Sequence, residues 1–187
     1  MVSSSVKKAK GRTRSRAYKI DSKIKINSNV HNGTFAFGEI FKGFENLEAL
    51  TRVFGSKKLD QVLLQVKIEV FPRDGFMGVS DEDGHIFASQ QYLNRGEKWS
   101  VYLDIIHELV HVRQFHEGKN LFDPQFAYVD RPTEVEAYKV AVEEARRIGL
   151  SEEEIFSYLE VPWISREELE RLAQSCGVAA QNINKAA

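Results

Sequence analysis

Ile106-His107-Glu108-Leu109-Val110-His111-Val112 decides the reading of this chain. Two histidines four residues apart stand one above the other on a helix. Both imidazoles can therefore face one metal ion. Glu108 lies beside the first of them, placed to take a proton from a water activated there. Two histidines with a third protein ligand and an open position make the donor set of hydrolytic zinc. The plainer reading is two core histidines with ordinary hydrogen bonds and a glutamate in a salt bridge. It suits a lone histidine better than it suits this triplet.

The neighbours of the motif sharpen it. On a helix through 99–115, Trp99, Leu103, Ile106 and Val110 fall on one side and Ile105, Leu109 and Val112 on the other. A polar strip of Ser100, Asp104, His107, Glu108, His111 and Gln114 runs between them. A helix apolar around most of its circumference is buried, and buried polar groups need partners or a ligand.

The third ligand must come from elsewhere. The histidines are His31, His85, His107, His111 and His116, and none lies beyond 116. His116 follows His111 by five residues, one short of the spacing that three-histidine sites use. A carboxylate from the next helix is the simplest source, and Glu134 and Glu136 are the candidates. On a helix through 134–148, Glu134 shares its face with Ala137, Tyr138, Ala141, Ala145 and Ile148. Glu136 lies with Lys139, Glu143 and Arg147, and Thr133-x-x-Glu136 offers it work as a capping box. Burying Glu134 without a partner is costly, and a metal removes that cost, so Glu134 is preferred.

With these residues the chain resembles the gluzincin clan of metallopeptidases, the thermolysin-like group. The resemblance rests on His107-Glu108-Leu109-Val110-His111 and Glu134-Val135-Glu136-Ala137-Tyr138 and spans about residues 62–148. It implies a zincin-like fold and Zn2+ held by His107, His111 and Glu134. It implies Glu108 as general base and acid, and a strand before the motif helix that pairs with an extended substrate. Tyr138 departs from the clan, which has Asp there to orient a zinc-binding histidine. Asp104, on the polar strip, is the candidate replacement. Tyr128 and Tyr138 are the phenols nearest the third ligand and the candidate transition-state donors, although each has a plainer role in packing.

Outward from the motif, the sequence predicts an α+β domain. A small twisted, mostly antiparallel sheet would pack on the central helix, with a helical C-terminal part. Residues 23–30 and 34–41 alternate around His31-Asn32-Gly33, a hairpin signal. Residues 44–54 have helical spacing, closed by Gly55. Residues 62–71 read as a strand stopped by Pro72. Residues 76–79, the turn Asp81-Glu82-Asp83-Gly84 and residues 85–89 read as a second hairpin. Its last strand, His85–Gln90, is expected to form an exposed edge beside the motif helix. A helix from about Glu134 ends at Gly149, and Ser151-x-x-Glu154 and Ser165-x-x-Glu168 open two more.

The chain has 187 residues, 42% of them hydrophobic, which suits one core. No apolar run approaches the length of a membrane span. One cysteine, Cys176, excludes an internal disulfide and a cysteine-built zinc ribbon. A reducing, cytoplasmic setting is the mild expectation. The net charge of −1 hides an asymmetry. Residues 1–19 carry seven basic residues and no acid, which leaves 19 of the 26 basic residues against all 27 acids on the rest. Residues 1–20 thus read as a basic flexible tail, 21–178 as one domain with a helical extension at 151–177, and 179–187 as a frayed end. The tail suits a nucleic-acid contact, though a solvated tail is the plainer reading.

Three functions follow in order. The first is a zinc peptidase acting on peptides or proteins. The second is a regulatory peptidase that cuts one specific protein partner. The third is a non-catalytic zinc-containing module that binds DNA or protein.

Overall fold

The computed structural model describes residues 18–179. The expectations for the basic segment through 17 and for the end from 180 lie outside the described residues. Tyr18 to Ile20, placed in the tail on sequence grounds, pack on the body. Lys19 N–H donates to the Ile148 carbonyl at 2.8 Å and the Tyr18 ring lies 5.8 Å from Trp99.

In chain order the elements are β1 (Lys25–Ile26), β2 (Gly33–Ala36), α1 (Phe37–Ile40), β3 (Phe41–Lys42), α2 (Glu48–Phe54), α3 (Ser56–Gln65), β4 (Lys67–Phe71), β5 (Met77–Val79) and β6 (Ile86–Ser89). They continue as α4 (Gln90–Arg95), α5 (Lys98–His116), α6 (Pro132–Ile148), α7 (Glu152–Tyr158) and α8 (Arg166–Ser175). The class is α+β. The main sheet is mixed, in the order β2-β4-β6-β5. β2 and β5 run antiparallel to their neighbours, while β4 and β6 are parallel.

The motif helix α5 is the centre of the fold. Every residue from Val101 to Val112 is buried except Asp104, which is half-buried. α6 packs along it, and β5 lies against it from the sheet. No helix among the described residues is long and apolar enough to cross a membrane.

Several expected elements change. The predicted hairpin over 23–41 does not form. β1 pairs with β3, and β2 pairs with β4. The apparent alternation at Phe35, Phe37 and Phe41 conceals a turn of helix, α1, which buries Phe37 and Ile40 three residues apart. Phe37, Phe41 and Phe44 then form an aromatic cluster with centroids 5.3–5.9 Å apart, and Phe44 continues it to Tyr102 of α5 at 5.7 Å. The strand expected over 62–71 begins at Lys67. Residues 62–65 finish α3, which buries Leu59 and Val62 on one side. An apolar run that straddles a helix end and a strand start has no period of its own.

The hairpin of 76–89 forms as β5 and β6, but its edge is reversed. β6, expected at the edge, lies between β4 and β5. Ile86, Ala88 and Ser89 are buried. The poor alternation of His85–Gln90 is the mark of a strand covered on both sides, not of an exposed one. The open edge belongs to β5. The alpha-carbon of Gly78 faces Phe87 so closely that an added methyl group would fall 2.4 Å from the ring. A side chain at position 78 would have to push the Phe87 ring aside.

At the helical end, the capping boxes at Ser151/Glu154 and Ser165/Glu168 form, and Gly149 closes α6 with φ of 95°. α6 is locked to α5 by Glu144, which is buried. It accepts from the Tyr102 hydroxyl and, at 2.7 Å, from Nε of Arg147. Glu144→Ala is expected to destabilise the protein by about 1–3 kcal/mol, because the buried Tyr102 hydroxyl loses its acceptor. Chemical denaturation checks this, and a loss below about 0.5 kcal/mol would contradict it.

Candidate metal centre

α5 and α6 bring the site together. His107, Glu108 and His111 project from one stretch of α5, all buried. Arg131 is the residue before α6 and Pro132 its first helical position, so the helix starts two residues earlier than expected. That start puts Glu134 in the first turn, facing α5. Its side chain is 8% exposed.

The three donor atoms lie within 4.8 Å of one another, and no other group of three metal-ligand side chains is found among the described residues. Nε2 of His107 and Nε2 of His111 are 2.9 Å apart. Oε2 of Glu134 is 3.4 Å from each, too long for a normal hydrogen bond, and it has no hydrogen-bond partner. A tetrahedral zinc with bonds of about 2.0–2.1 Å holds its ligand atoms about 3.3 Å apart. The two oxygen–nitrogen separations match that edge, and the nitrogen pair is somewhat closer. A buried carboxylate oxygen aimed at two ring nitrogens without a hydrogen bond to either suits a metal ligand, and without a metal it stands as the ion-pair partner of protonated His111.

The surroundings set the protonation of the metal-free cluster. Burial and the nearby His111 charge push His107 down, with Glu134 opposing. His111 is held up at about 9, because Glu134 and Glu108 outweigh its burial. Glu134 falls to about 2, its burial outweighed by both histidines. Glu108 rises to about 8, chiefly through burial and further through Glu134 and Asp104, with only the His111 charge opposing. Without a metal, His111 is therefore held as a cation and Glu108 as a neutral acid near pH 7. A cation between the histidines and Glu134 would reverse that logic and lower Glu108.

The other candidates fall in different places. No hydrogen bond joins Asp104 to either histidine among the described residues. Its carboxyl accepts from the Tyr92 hydroxyl, which also lies 3.0 Å from Ser100 Oγ. The expected orienting role is therefore not visible at Asp104. The substituent at position 104 lies one turn before Glu108, and burial raises it to about 6. Tyr138 stacks edge-on against the His107 ring at 4.4 Å and leaves Nδ1 of His107 without a hydrogen bond. Its hydroxyl meets that of Tyr128 at 2.8 Å, and Tyr128 lines the cleft. Glu136 does not cap α6. It binds Arg113 Nη2 at 2.5 Å, Gln114 Nε2 at 2.8 Å and Lys119 Nζ at 3.0 Å. Those partners outweigh its burial and hold it at about 2.

The donors open into a cleft of about 180 Å3. One wall is β5, with Met77, Gly78 and Val79. The others are Phe87, Leu121, Phe122, Tyr128 and Trp163. Trp163, from the α7–α8 connection, is 56% exposed and packs edge-on against Phe76 and Tyr128, both at 5.8 Å. Sequence reasoning missed this apolar rim, the β5 edge and the contacts of Gln114. An exposed Trp beside Pro162 was the one available signal for the rim.

Comparison with models of protein families, with curated proteins and with solved structures finds no match for the chain. What the site can do follows from its own chemistry.

Proposed function

We propose that this chain is a zinc-dependent peptidase of the zincin type, with His107, His111 and Glu134 as metal ligands and Glu108 as general base and acid. The observation that carries the reading is Oε2 of Glu134, equidistant from two histidine nitrogens in a buried pocket and hydrogen-bonded to neither. Zinc held there would supply Lewis acidity toward a carbonyl oxygen and an acidic water. Glu108 takes a proton from the attacking water and returns it to the departing amine nitrogen. Tyr128, whose hydroxyl stays protonated through burial, is the phenol placed in the cleft to donate to the developing oxyanion.

The β5 edge supplies the binding surface. Ser89 N–H donates to the Phe76 carbonyl at 2.8 Å and Ser80 N–H to the His85 carbonyl at 2.9 Å, and Gly78 is paired with Phe87. Even-numbered residues thus face β6, and Met77 and Val79 turn their N–H and C=O groups to the open edge. An extended peptide adds there as a strand.

The size of the cleft favours a selective enzyme, the second of the sequence-based readings. At about 180 Å3 it is smaller than the roughly 300–1,000 Å3 of ordinary ligand pockets, and the half-exposed rings of Trp163 and Phe122 are part of its lining. Digestion of a peptide library and of whole-cell protein by the zinc-loaded chain tests both readings. Cleavage that a chelator stops and zinc restores supports peptidase action, and a narrow product set supports selectivity. Stoichiometric zinc without cleavage of any peptide or protein would leave the non-catalytic module.

A further inference from the structure

Gln114 is wholly buried on α5, three residues after His111. Its amide touches three groups. The nitrogen lies 3.0 Å from the Thr133 carbonyl oxygen and 2.8 Å from Oε2 of Glu136. The oxygen lies 2.7 Å from Nδ1 of His111. Thr133 C=O and the Glu136 carboxylate can only accept, and Arg113 and Lys119 hold Glu136 in its ionised form. Turning the amide over would set its oxygen against two acceptors. The nitrogen must therefore face α6 and the oxygen must face His111. An amide oxygen has no proton to give, so the proton in that contact sits on Nδ1 of His111.

We propose that Gln114 is the positioning residue of the metal centre: anchored by Thr133 and Glu136, it fixes the proton of His111 on Nδ1 and leaves Nε2 to ligate. The inference rests on the metal-centre reading above. It also explains how two helices present one donor set. The same amide holds His111 on α5 and the backbone just before Glu134 on α6, so one side chain locates two ligands relative to each other. His107 has no such partner. Its Nδ1 is unbonded and Tyr138 holds its ring by packing alone. The neutral amide adds no charge to the cluster, and the charge of Glu136 behind it is met by Arg113 and Lys119 rather than by the metal.

Exchanging the two side chains gives a test that packing alone would not pass. Gln114→Glu keeps an acceptor for His111 but loses both amide donors and faces Glu136 as a second carboxylate. Adding Glu136→Gln returns an amide donor opposite a carboxylate across the same gap. Gln114→Met keeps the volume and removes every hydrogen bond.

Imidazole proton–nitrogen spectra of the zinc-loaded wild type, in which the His111 ring carries a single proton, read its position directly, and titration with zinc alone against a chromophoric chelator reads the affinity. The expected results are a proton on Nδ1 of His111, about a 10–100-fold weaker zinc affinity for Gln114→Met, and recovery in the double exchange of most of the affinity that Gln114→Glu loses. An unprotonated Nδ1, unchanged affinity in Gln114→Met, or a double exchange no better than the single change overturns the proposal. Failure of the metal-centre reading looks different: the wild type takes up no zinc, whatever stands at position 114, and that outcome overturns both.

Discussion

Glu108→Gln is expected to keep its zinc and to lose hydrolysis by about 10²–10⁴-fold, the usual contribution of a positioned proton carrier. The two properties separate because of where Glu108 stands. It is next to His107 in sequence but turned about 100° around the helix from it, and it lies outside the cluster of His107, His111 and Glu134. Its carboxyl lines the same cleft as the ligands. No hydrogen bond holds its charge, and burial raises it to about 8 when no metal is present. Glutamine has the same shape and no proton to exchange, so the cleft and the ligands stay as they are. Peptide hydrolysis measured beside zinc content checks this. A variant that loses its metal would make Glu108 a ligand, and a variant that still cleaves at the wild-type rate would remove it from the chemistry.

Glu134→Ala is expected to weaken zinc binding beyond the roughly 10–100-fold typical of a lost supporting contact, because a ligand itself is removed. Glu136→Ala is expected to retain stoichiometric zinc, at a cost of about tenfold or less. Both residues are acids in the first turn and a half of α6, yet their surroundings differ. Glu134 is buried with its Oε2 aimed at two ring nitrogens. Glu136 is half-buried among Arg113, Gln114 and Lys119, and supports His111 only through Gln114. Zinc titration of the two variants decides between them. The reverse ranking would mean that α6 is rotated relative to α5.

The site was legible where chemistry follows local spacing. His107 and His111 one helical turn apart, an apolar circumference around them and a carboxylate on the buried face of the next helix are all properties of single segments. Helix starts and stops were legible for the same reason. Ser151 with Glu154, Ser165 with Glu168, and Gly149 each act within a few residues. Pairing between distant segments was not legible. Nothing in Ile86–Ser89 itself says that β4 will lie beside it, and its burial on both sides looks in sequence like weak alternation. Glu136 was placed in water by its helical face, but the end of α5 lies over that face and brings Arg113 and Lys119 to it. Asp104 is a candidate to orient a histidine because it shares the polar strip, and the hydrogen bond it receives from Tyr92 of α4 depends on packing that the strip does not reveal. Gln114 stood on the strip from the start. Its role depends on Thr133 and Glu136, which only the packing of α6 on α5 brings within reach.

The metal content of the purified chain tests the central claim most directly. Protein folded in the presence of zinc, freed of excess metal and assayed by elemental analysis should hold one zinc per chain. His107→Ala and His111→Ala, prepared the same way, should hold almost none. A folded wild-type chain that emerges without bound metal, or histidine variants that retain a full equivalent, would contradict the account.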